Sequence, residues 1–474
     1  MGMPLDPAVC YRALRSRDAR FDGRFFVAVE TTGIYCRPIC PARTPKRANI
    51  RFVVSAAAAE EAGFRPCLRC RPESSPELAA WTGTASSVSR ALKLIGEGAL
   101  DTGTVTALAE RVGLGERQLR RLFLRHLGAS PGAVAQTRRS LFAKSLVTDT
   151  RMPLAEVALA SGFGSVRRFN AAFRARYGRS PRELRRGARG TEPGAAGVSL
   201  FLPYAPPYDW SSLLGFLRLR AIPGVESVGD DGVYRRSIRR GGAAGTLSVA
   251  PSPEHDALCV EIRFPEVAAL GAFVEKLRGL FDLGADPHAV TRDLGGCAEL
   301  RALLKARPGL RVPGAWDGFE LAVRAVLGQQ ITVAGASTLA GRLVAAYGDP
   351  LAECGAESEA DGGSTGLTHT FPSAERLARA DLGGIGVTRA RARTLTALAA
   401  AAVEAPALFA PAESLESSIA RLREVPGIGD WTAQYIAMRA LREPDAFPAA
   451  DLGLQHACTG PDGRPSTGEL RARA

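Results

Sequence analysis

Cys36, Cys40, Cys67 and Cys70 are the residues of this chain best suited to do chemistry. They fall as C-x3-C, a gap of 26 residues, then C-x2-C. A tetrahedral zinc ion wants four soft ligands brought in as two close pairs, and these spacings supply such pairs. Four thiolates around one zinc leave net negative charge. Arg37, Arg43, Lys46, Arg47, Arg51, Arg65, Arg69 and Arg71 crowd the same stretch and would offset it, or face phosphate. A disulfide reading needs an oxidising compartment, yet the start Met1-Gly2-Met3-Pro4-Leu5-Asp6 has no signal-peptide apolar region. A thioredoxin-like reading fails as well, because no strand-helix alternation follows Cys67-Leu68-Arg69-Cys70. A purely structural zinc is the plain alternative.

Local wording decides between the structural and the reactive zinc. Phe25-Phe26-Val27-Ala28-Val29-Glu30-Thr31-Thr32-Gly33-Ile34-Tyr35-Cys36-Arg37-Pro38, with Gly63-Phe64-Arg65-Pro66-Cys67-Leu68-Arg69-Cys70, closely resembles the N-terminal domain of the Ada adaptive-response family, over residues 5–75. The resemblance implies that one zinc-bound cysteine, Cys36 here, accepts a methyl group from a DNA methylphosphotriester. It also implies that Thr32, Arg43 and Arg65 contact the phosphate under repair. Zinc keeps a coordinated thiol deprotonated at neutral pH, so Cys36 needs no general base. Methylation removes one negative charge, which should raise affinity for DNA. The reaction would consume the protein once.

The charge is spread unevenly along the chain. Residues 1–190 hold 33 Lys/Arg against 15 Asp/Glu, and the remainder holds 28 against 33, within a net charge of +13. A polyanion partner is expected for the first part. At 474 residues, two to four domains are expected, and no apolar run is long enough for a membrane span. Cys10, Cys259, Cys297, Cys354 and Cys458 lack ligand spacing and read as buried free thiols in a reducing cytoplasm.

Residues 104–131 and 153–181 repeat one unit. Leu119, Phe123, Leu127, Gly128, Ser130 and Pro131 recur 50 positions on as Phe169, Phe173, Tyr177, Gly178, Ser180 and Pro181. Each copy reads as helix, glycine turn and second helix, a helix-turn-helix used twice. One face of the second helix is apolar at 119, 122, 123 and 127. The opposite faces carry Arg117, Gln118, Arg120 and Arg121 in one copy and Ser165, Arg167, Arg168 and Asn170 in the other. Arg, Asn and Gln are the side chains that pair bidentately with guanine and adenine edges. A solvated basic face is the alternative for any single arginine, and two copies weaken it. The segment resembles the AraC-type DNA-binding domain over roughly 84–187.

Gly187–Gly197 reads as a linker. Beyond it, strand runs at Val233–Ile238, Thr246–Val249 and Ala257–Phe264, then helices near Val267–Phe281 and His288–Ala306, predict a small α+β domain with nothing catalytic in it. From Trp316 the pattern is helical. Phe319–Tyr347 is one long apolar-periodic stretch holding Leu327-Gly328-Gln329-Gln330. Val425-Pro426-Gly427-Ile428-Gly429-Asp430-Trp431 lies between helical runs, and Asp451 follows Gly429 by 22 residues. A Pro-Gly-x-Gly turn between helices is the helix-hairpin-helix signature, in which Gly427 and Gly429 let backbone N–H groups approach a phosphate. Asp451 alone also reads as a helix N-cap before Leu452, and the two roles are compatible.

With Trp316-Asp317 and the Gly-Gln-Gln helix, this stretch resembles the AlkA-type 3-methyladenine DNA glycosylases over roughly 197–460. The likeness implies that Asp451 drives excision of a flipped base, and that Trp431 and Gln329 line the base pocket. Bifunctional relatives carry lysine at the position of Trp431, and no lysine follows Lys305 here, so hydrolysis without a lyase step is expected. The family continues past this aspartate with further helices. Here the tail Gly460–Ala474 reads as disordered, and Cys354–Thr370 as a flexible surface loop. No Pro-Cys-His-Arg sequence occurs, so no alkylguanine-repair domain is expected.

The fold class expected is multidomain α+β. A small zinc-binding α/β domain (1–80) precedes an all-α double helix-turn-helix domain (84–187) and a linker (188–197). A small α+β domain (198–305) and an all-α helix-hairpin-helix glycosylase domain (306–474, its end shortened) follow. The function expected is alkylation-damage repair and response, with one Zn2+, double-stranded DNA as partner and RNA polymerase as a second. No membrane and no small-molecule cofactor are expected, and the chain is expected to be a cytoplasmic, nucleoid-associated monomer. The alternative is a methylation-sensing regulator with an inactive glycosylase half.

Overall fold

The computed structural model describes residues 6–76, 86–186, 197–351, 366–410, 412–460 and 463–473. The expected linker lies outside these residues except for Gly197, as does the expected loop at Cys354–Thr370 apart from 366–370. Cys354 is also outside.

Helix α1 (Pro7–Ser16) is capped by Asp6, whose side chain accepts the Ala8 N–H, and leads to strands β1 (Phe26–Val29), β2 (Ile34–Cys36) and β3 (Ile50–Val53). Helix α2 (Ala56–Glu61) and strand β4 (Arg65–Pro66) follow, giving a sheet of order β3-β1-β2-β4. Alternate residues of β1 face opposite sides, so Phe25, Val27 and Val29 pack on α1 while Phe26 and Ala28 pack with Tyr35, Ala59 and Phe64.

Helices α3 (Ser86–Gly96), α4 (Val105–Arg111), α5 (Glu116–Leu127), α6 (Pro131–Asp149), α7 (Leu154–Ala160), α8 (Val166–Tyr177) and α9 (Pro181–Arg186) come next. The repeat read from the sequence appears as α4–α5 and α7–α8, joined by the 19-residue α6. Gly128 and Gly178 end α5 and α8 at φ +66° and +63°, a left-handed cap that explains why glycine recurs there. Leu119, Phe123, Phe169 and Phe173 are fully buried.

Strand β5 (Val198–Pro203) and helix α10 (Trp210–Arg220) lead to β6 (Glu226–Val228), β7 (Tyr234–Arg240), β8 (Ala243–Pro251) and β9 (Ala257–Arg263). β9 pairs antiparallel with both β5 and β8, and β6 with β7. Then come α11 (Leu270–Leu280), α12 (Pro287–Leu294) and α13 (Ala298–Ala306). The single helix expected at His288–Ala306 is therefore two, interrupted at Gly295-Gly296, where glycine's conformational freedom weakens a helix.

The last part is helical: α14 (Gly318–Leu327), α15 (Val333–Tyr347), α16 (Ala374–Ala378), α17 (Arg389–Glu404), α18 (Leu415–Arg423), α19 (Asp430–Ile436), α20 (Leu452–Ala457) and α21 (Thr467–Arg473). Phe319–Tyr347 is likewise not continuous. Gln330 adopts φ +56°, and Thr332 caps α15 by accepting the Gly335 N–H. The tail is not the expected disorder either. Residues Thr467–Arg473 form α21, whose Leu470 is buried and whose Arg471 pairs with Asp430 at 2.5 Å. A single apolar anchor and one ion pair were too short a pattern to read.

The chain divides into two compact units, Met1–Leu213 with Arg240–Arg311, and Leu214–Arg239 with Val312–Ala474. In the first, buried Glu60 receives the Tyr35 hydroxyl at 3.0 Å and pairs with Arg176 of α8 at 2.5 Å. Lys144 of α6 pairs with Glu73 at 2.7 Å, both nearly inaccessible. In the second, α14, α15, α17, α18 and α19 share an apolar core with Ile222 and Val225. A buried ionic cluster ties β6 and β7 to α14: Arg236–Glu320 at 2.7 Å, Arg324–Glu226 at 2.5 Å and Arg324–Glu320 at 2.6 Å. Tyr234 donates to Glu226 at 2.6 Å. Among the described residues, no helix is long and apolar enough to cross a membrane.

Candidate functional sites

The four cysteines converge because two short segments run side by side. β2 and β4 pair in parallel, Ile34 with Arg65 and Tyr35 with Pro66, and the Cys67 N–H bonds the Tyr35 carbonyl at 3.0 Å. That register carries Cys36 and Cys67 to neighbouring positions. A turn, Cys40 N–H to Arg37 O at 3.1 Å, brings Cys40 back. The four sulfurs all lie within 4.8 Å of one another. Sulfurs at the corners of a tetrahedral zinc site stand about 3.8 Å apart for Zn–S bonds of about 2.3 Å, so the set fits one zinc ion. Hydrogen bonds among the sulfurs push the Cys36 and Cys70 thiols up and hold Cys67 down, with Cys40 brought to about 7.

The four are not equivalent. Cys40, Cys67 and Cys70 are buried, whereas Cys36 is partly exposed. Cys70 also accepts the Arg37 backbone N–H at 3.3 Å, which lowers its reactivity relative to a bare thiolate. The Arg37 side chain is committed inward, donating to Asp22 at 3.0 Å and to the Cys70 carbonyl at 3.1 Å. Thr32, Arg43 and Arg65 are exposed. On the helix-turn-helix copies, Arg117, Gln118, Arg121, Arg167 and Arg168 are exposed and Asn170 half-buried. Arg120 is turned to Glu116 at 2.8 Å. Of the other cysteines, Cys10 is buried as expected but Cys297 is exposed, because it precedes α13, a helix with no buried residue.

The second site is built at the hairpin between α18 and α19. Gly427 has φ +88°, and a Cβ there would meet Thr394 Oγ1 at 2.0 Å, so only glycine fits. Gly429 caps α19, and no atom lies within 4 Å of where its Cβ would stand. Asp451 is the helix N-cap expected of it. One carboxylate oxygen accepts the Leu454 N–H at 3.0 Å, capping α20, and the other accepts Trp431 Nε1 at 3.0 Å. The indole lies flat on Tyr435, 5.3 Å between centroids at 15°. Beyond α19 the chain makes a π-helical turn, Ala437–Leu441, which buries Arg439. Arg439 donates to Tyr435 Oη at 2.6 Å and to the Pro313 and Gly314 carbonyls at 2.8 and 2.7 Å.

Gln329 has a structural role the sequence did not announce. Its amide donates to the Gly427 carbonyl and to Thr432 Oγ1, both at 3.2 Å, so it braces the hairpin. The left-handed Gln330 next to it is exposed and carries the backbone strain that often marks a working position. Tyr435 and Arg439 were not anticipated, although Trp431, Tyr435 and Arg439 follow one another at successive steps of four, a legible signal.

Comparisons with known proteins follow this division. Residues 9–73 match the metal binding domain of Ada, 108–187 a helix-turn-helix domain, 199–317 the AlkA N-terminal domain, and 323–466 the HhH-GPD superfamily of base excision DNA repair proteins. The chain is 43% identical over 450 residues to the probable bifunctional transcriptional activator/DNA repair enzyme AlkA of Mycobacterium tuberculosis, covering 94% of this chain and 88% of that one. It is 36% identical over 254 residues to DNA-3-methyladenine glycosylase 2 of Escherichia coli, covering 52% and 82%. To the Ada enzyme of Escherichia coli it is 38% identical over 131 residues, covering 27% and 35%. The chain therefore belongs to the family of bifunctional transcriptional activators and DNA repair enzymes, joining an Ada-type zinc domain and a helix-turn-helix segment to an AlkA-type base-excision unit.

Proposed function

We propose that this chain repairs alkylated DNA by two separate chemistries and reports the damage to transcription. Cys36 is the methyl acceptor. Its sulfur lone pair attacks the methyl carbon of a neutral phosphotriester, the S–C bond forms as the C–O bond breaks, and the electron pair stays on phosphate as a diester anion. Bound zinc would keep the sulfur deprotonated. The product is a thioether, so each molecule acts once. What supports Cys36 over its three partners is its partial exposure beside exposed Thr32, Arg43 and Arg65. Loss of one negative charge then strengthens binding of the helix-turn-helix faces, Arg117, Gln118, Arg121, Arg167, Arg168 and Asn170, to an operator.

Asp451 is the glycosylase carboxylate. It stabilises an oxocarbenium-like sugar, or activates water, once the base is out of the stack. Gly427 and Gly429 hold the backbone of the strand, and Trp431 forms a wall of the pocket. With Trp431 where a Schiff-base amine would have to stand, the enzyme hydrolyses the N-glycosidic bond without a lyase step. The observation that carries this half is the Trp431–Asp451 bond at the mouth of the hairpin. We also propose the domain limits 1–80, 84–187, 198–305 and 306–474, a monomer acting on double-stranded DNA at the nucleoid, and RNA polymerase as the partner for activation. The test is base release from methylated duplex DNA by wild type and Asp451→Asn. Methylpurine release by wild type alone supports the glycosylase, and release by neither, from folded protein, leaves a methylation-sensing regulator.

A further inference from the structure

Helix α11 of the α+β domain lies in the same compact unit as the helix-turn-helix segment, and it uses two faces. Leu270, Phe273, Val274, Leu277 and Leu280 are buried along one stripe, where Phe273 meets Phe264 of its own domain edge-on. Gly271, Glu275 and Arg278, at steps of four and three, form a second stripe. This second stripe meets the helices that carry the two reading units. Glu275 pairs with Arg138 of α6 at 2.5 Å, the two side chains only 19% and 21% exposed. Arg138 also donates to the Leu92 carbonyl of α3 at 3.0 Å. The pair is seated on the end of α3, since a Cβ on Gly96 would stand 2.5 Å from Glu275 Oε2 and 2.7 Å from Arg138 Nη1. A Cβ on Gly271 would stand 3.4 Å from the Ala160 carbonyl, which ends α7, and 3.8 Å from the Phe142 ring of α6. The turn Val267–Ala269, just before α11, packs on α7 as well.

The two helix-turn-helix copies meet along these same helices. Asp101, in the loop from α3 into α4, sits against the glycine turn of the second copy, where a Cβ on Gly162 would meet its carboxylate at 2.4 Å. Arg139 of α6 stands 3.7 Å from that carboxylate. The zinc domain is held to the α+β domain at a separate point, Arg24 to Asp286, the N-cap of α12, at 2.6 Å. The reading side chains Arg117, Gln118, Arg121, Arg167 and Arg168 remain exposed.

Two reading helices both contribute only if they meet their groove segments at once. Successive major-groove segments on one face of a duplex lie ~10 base pairs apart, and each inserted pair turns the second by roughly 35°. Readers held at a fixed offset bind without first being ordered, and they reject a wrong spacing. We propose that α11 is a brace, an interaction surface of the glycosylase half that fixes the two reading units relative to each other. The operator spacing this chain accepts is then set by a domain outside the helix-turn-helix segment. The proposal rests on α5 and α8 being the readers.

The probe is a duplex enriched from random-sequence DNA by the full chain, used as selected and with one or two base pairs inserted between its two protected segments. Wild type is expected to lose about tenfold in affinity or more with each insertion. Glu275→Arg sets two cations face to face. It is expected to bind the selected duplex about tenfold more weakly and to lose most of the spacing preference, with methyl uptake by Cys36 unchanged. Exchange of the pair, Arg138→Glu with Glu275→Arg, is expected to recover part of both. A Glu275→Arg variant with wild-type affinity and spacing preference, an exchange no better than the single variant, or equal loss of methyl uptake would overturn the brace. So would a selected duplex with one protected segment only. Arg121→Ala and Arg168→Ala test the underlying reading: if neither weakened binding to the selected duplex, α5 and α8 would not be the readers, a distinguishable failure.

Discussion

All four cysteines of the zinc cluster come from residues 36–70, whereas the Asp451 site draws on Trp431, Tyr435 and Arg439, on Phe216 of α10 beneath Arg439, and on Asp451 itself. The first site is closed by one parallel pairing of short strands and needs little beyond its own stretch of chain. The second exists only after a buried ionic cluster has fixed α10 against α14 and the hairpin has aimed α19 at α20. A ligand set held by local spacing tolerates change elsewhere. A pocket assembled from distant segments inherits every weakness of the packing that assembles it. The two should fail independently, and mutation can test that.

The largest separation should come from Cys36→Ala, which leaves no acceptor atom: methyl uptake from DNA methylphosphotriesters is abolished while base release continues at the wild-type rate. Asp451→Asn is the mirror experiment. Asparagine is as good an N-cap as aspartate, so α20 survives, but base release should fall about 10²–10⁴-fold with methyl uptake intact. Joint loss in either variant, with folded protein, would sink the independence of the sites.

Glu320→Gln probes the scaffold of the pocket. Arg236 and Arg324 would lose their shared buried anion, at a cost of about 3–5 kcal/mol, seen as a lower unfolding midpoint for the second unit with zinc binding unaffected. Trp431→Phe removes one hydrogen bond to a carboxylate, worth about 1.5–3 kcal/mol, so a kcat reduction of about 10- to 100-fold is expected. An unchanged kcat would show that the capping bond alone orients Asp451.

Acid gives the gentlest test. Burial by itself would raise the Glu320 carboxyl, but Arg236 and Arg324 outweigh it and bring it down from 4.5 to about 2. A carboxyl depressed in the folded state contributes stability that is full above pH 4.5 and is lost as pH falls toward about 2. Thermal midpoints of wild type should decline through that window, and those of Glu320→Gln should decline less.

Much of this was legible before any fold was known. Soft ligands at three- and two-residue gaps have few other uses, so the zinc cluster could be read from spacing. The doubled helix-turn-helix showed itself because burial of Leu119 and Phe123 imposes the same pattern as burial of Phe169 and Phe173. Gly427 was legible because Thr394 and a left-handed backbone admit no side chain there. The bracing role of Gln329 was not legible, because a side-chain amide serves a pocket or a backbone carbonyl equally well and only its neighbour decides. The break between α14 and α15 escaped because apolar periodicity runs through Gly328–Thr332 without a gap in pattern.

The sequence by itself determined the order of segments, the metal chemistry, the two reading helices and the carboxylate after the hairpin, since each is a property of residue type and short spacing. Tertiary structure alone decided which cysteine is accessible, what Gln329 braces, and that Phe216, more than 200 residues before Trp431, packs under the same Arg439 as Tyr435. Those outcomes depend on packing between residues far apart in the chain, where no periodicity or spacing rule reaches.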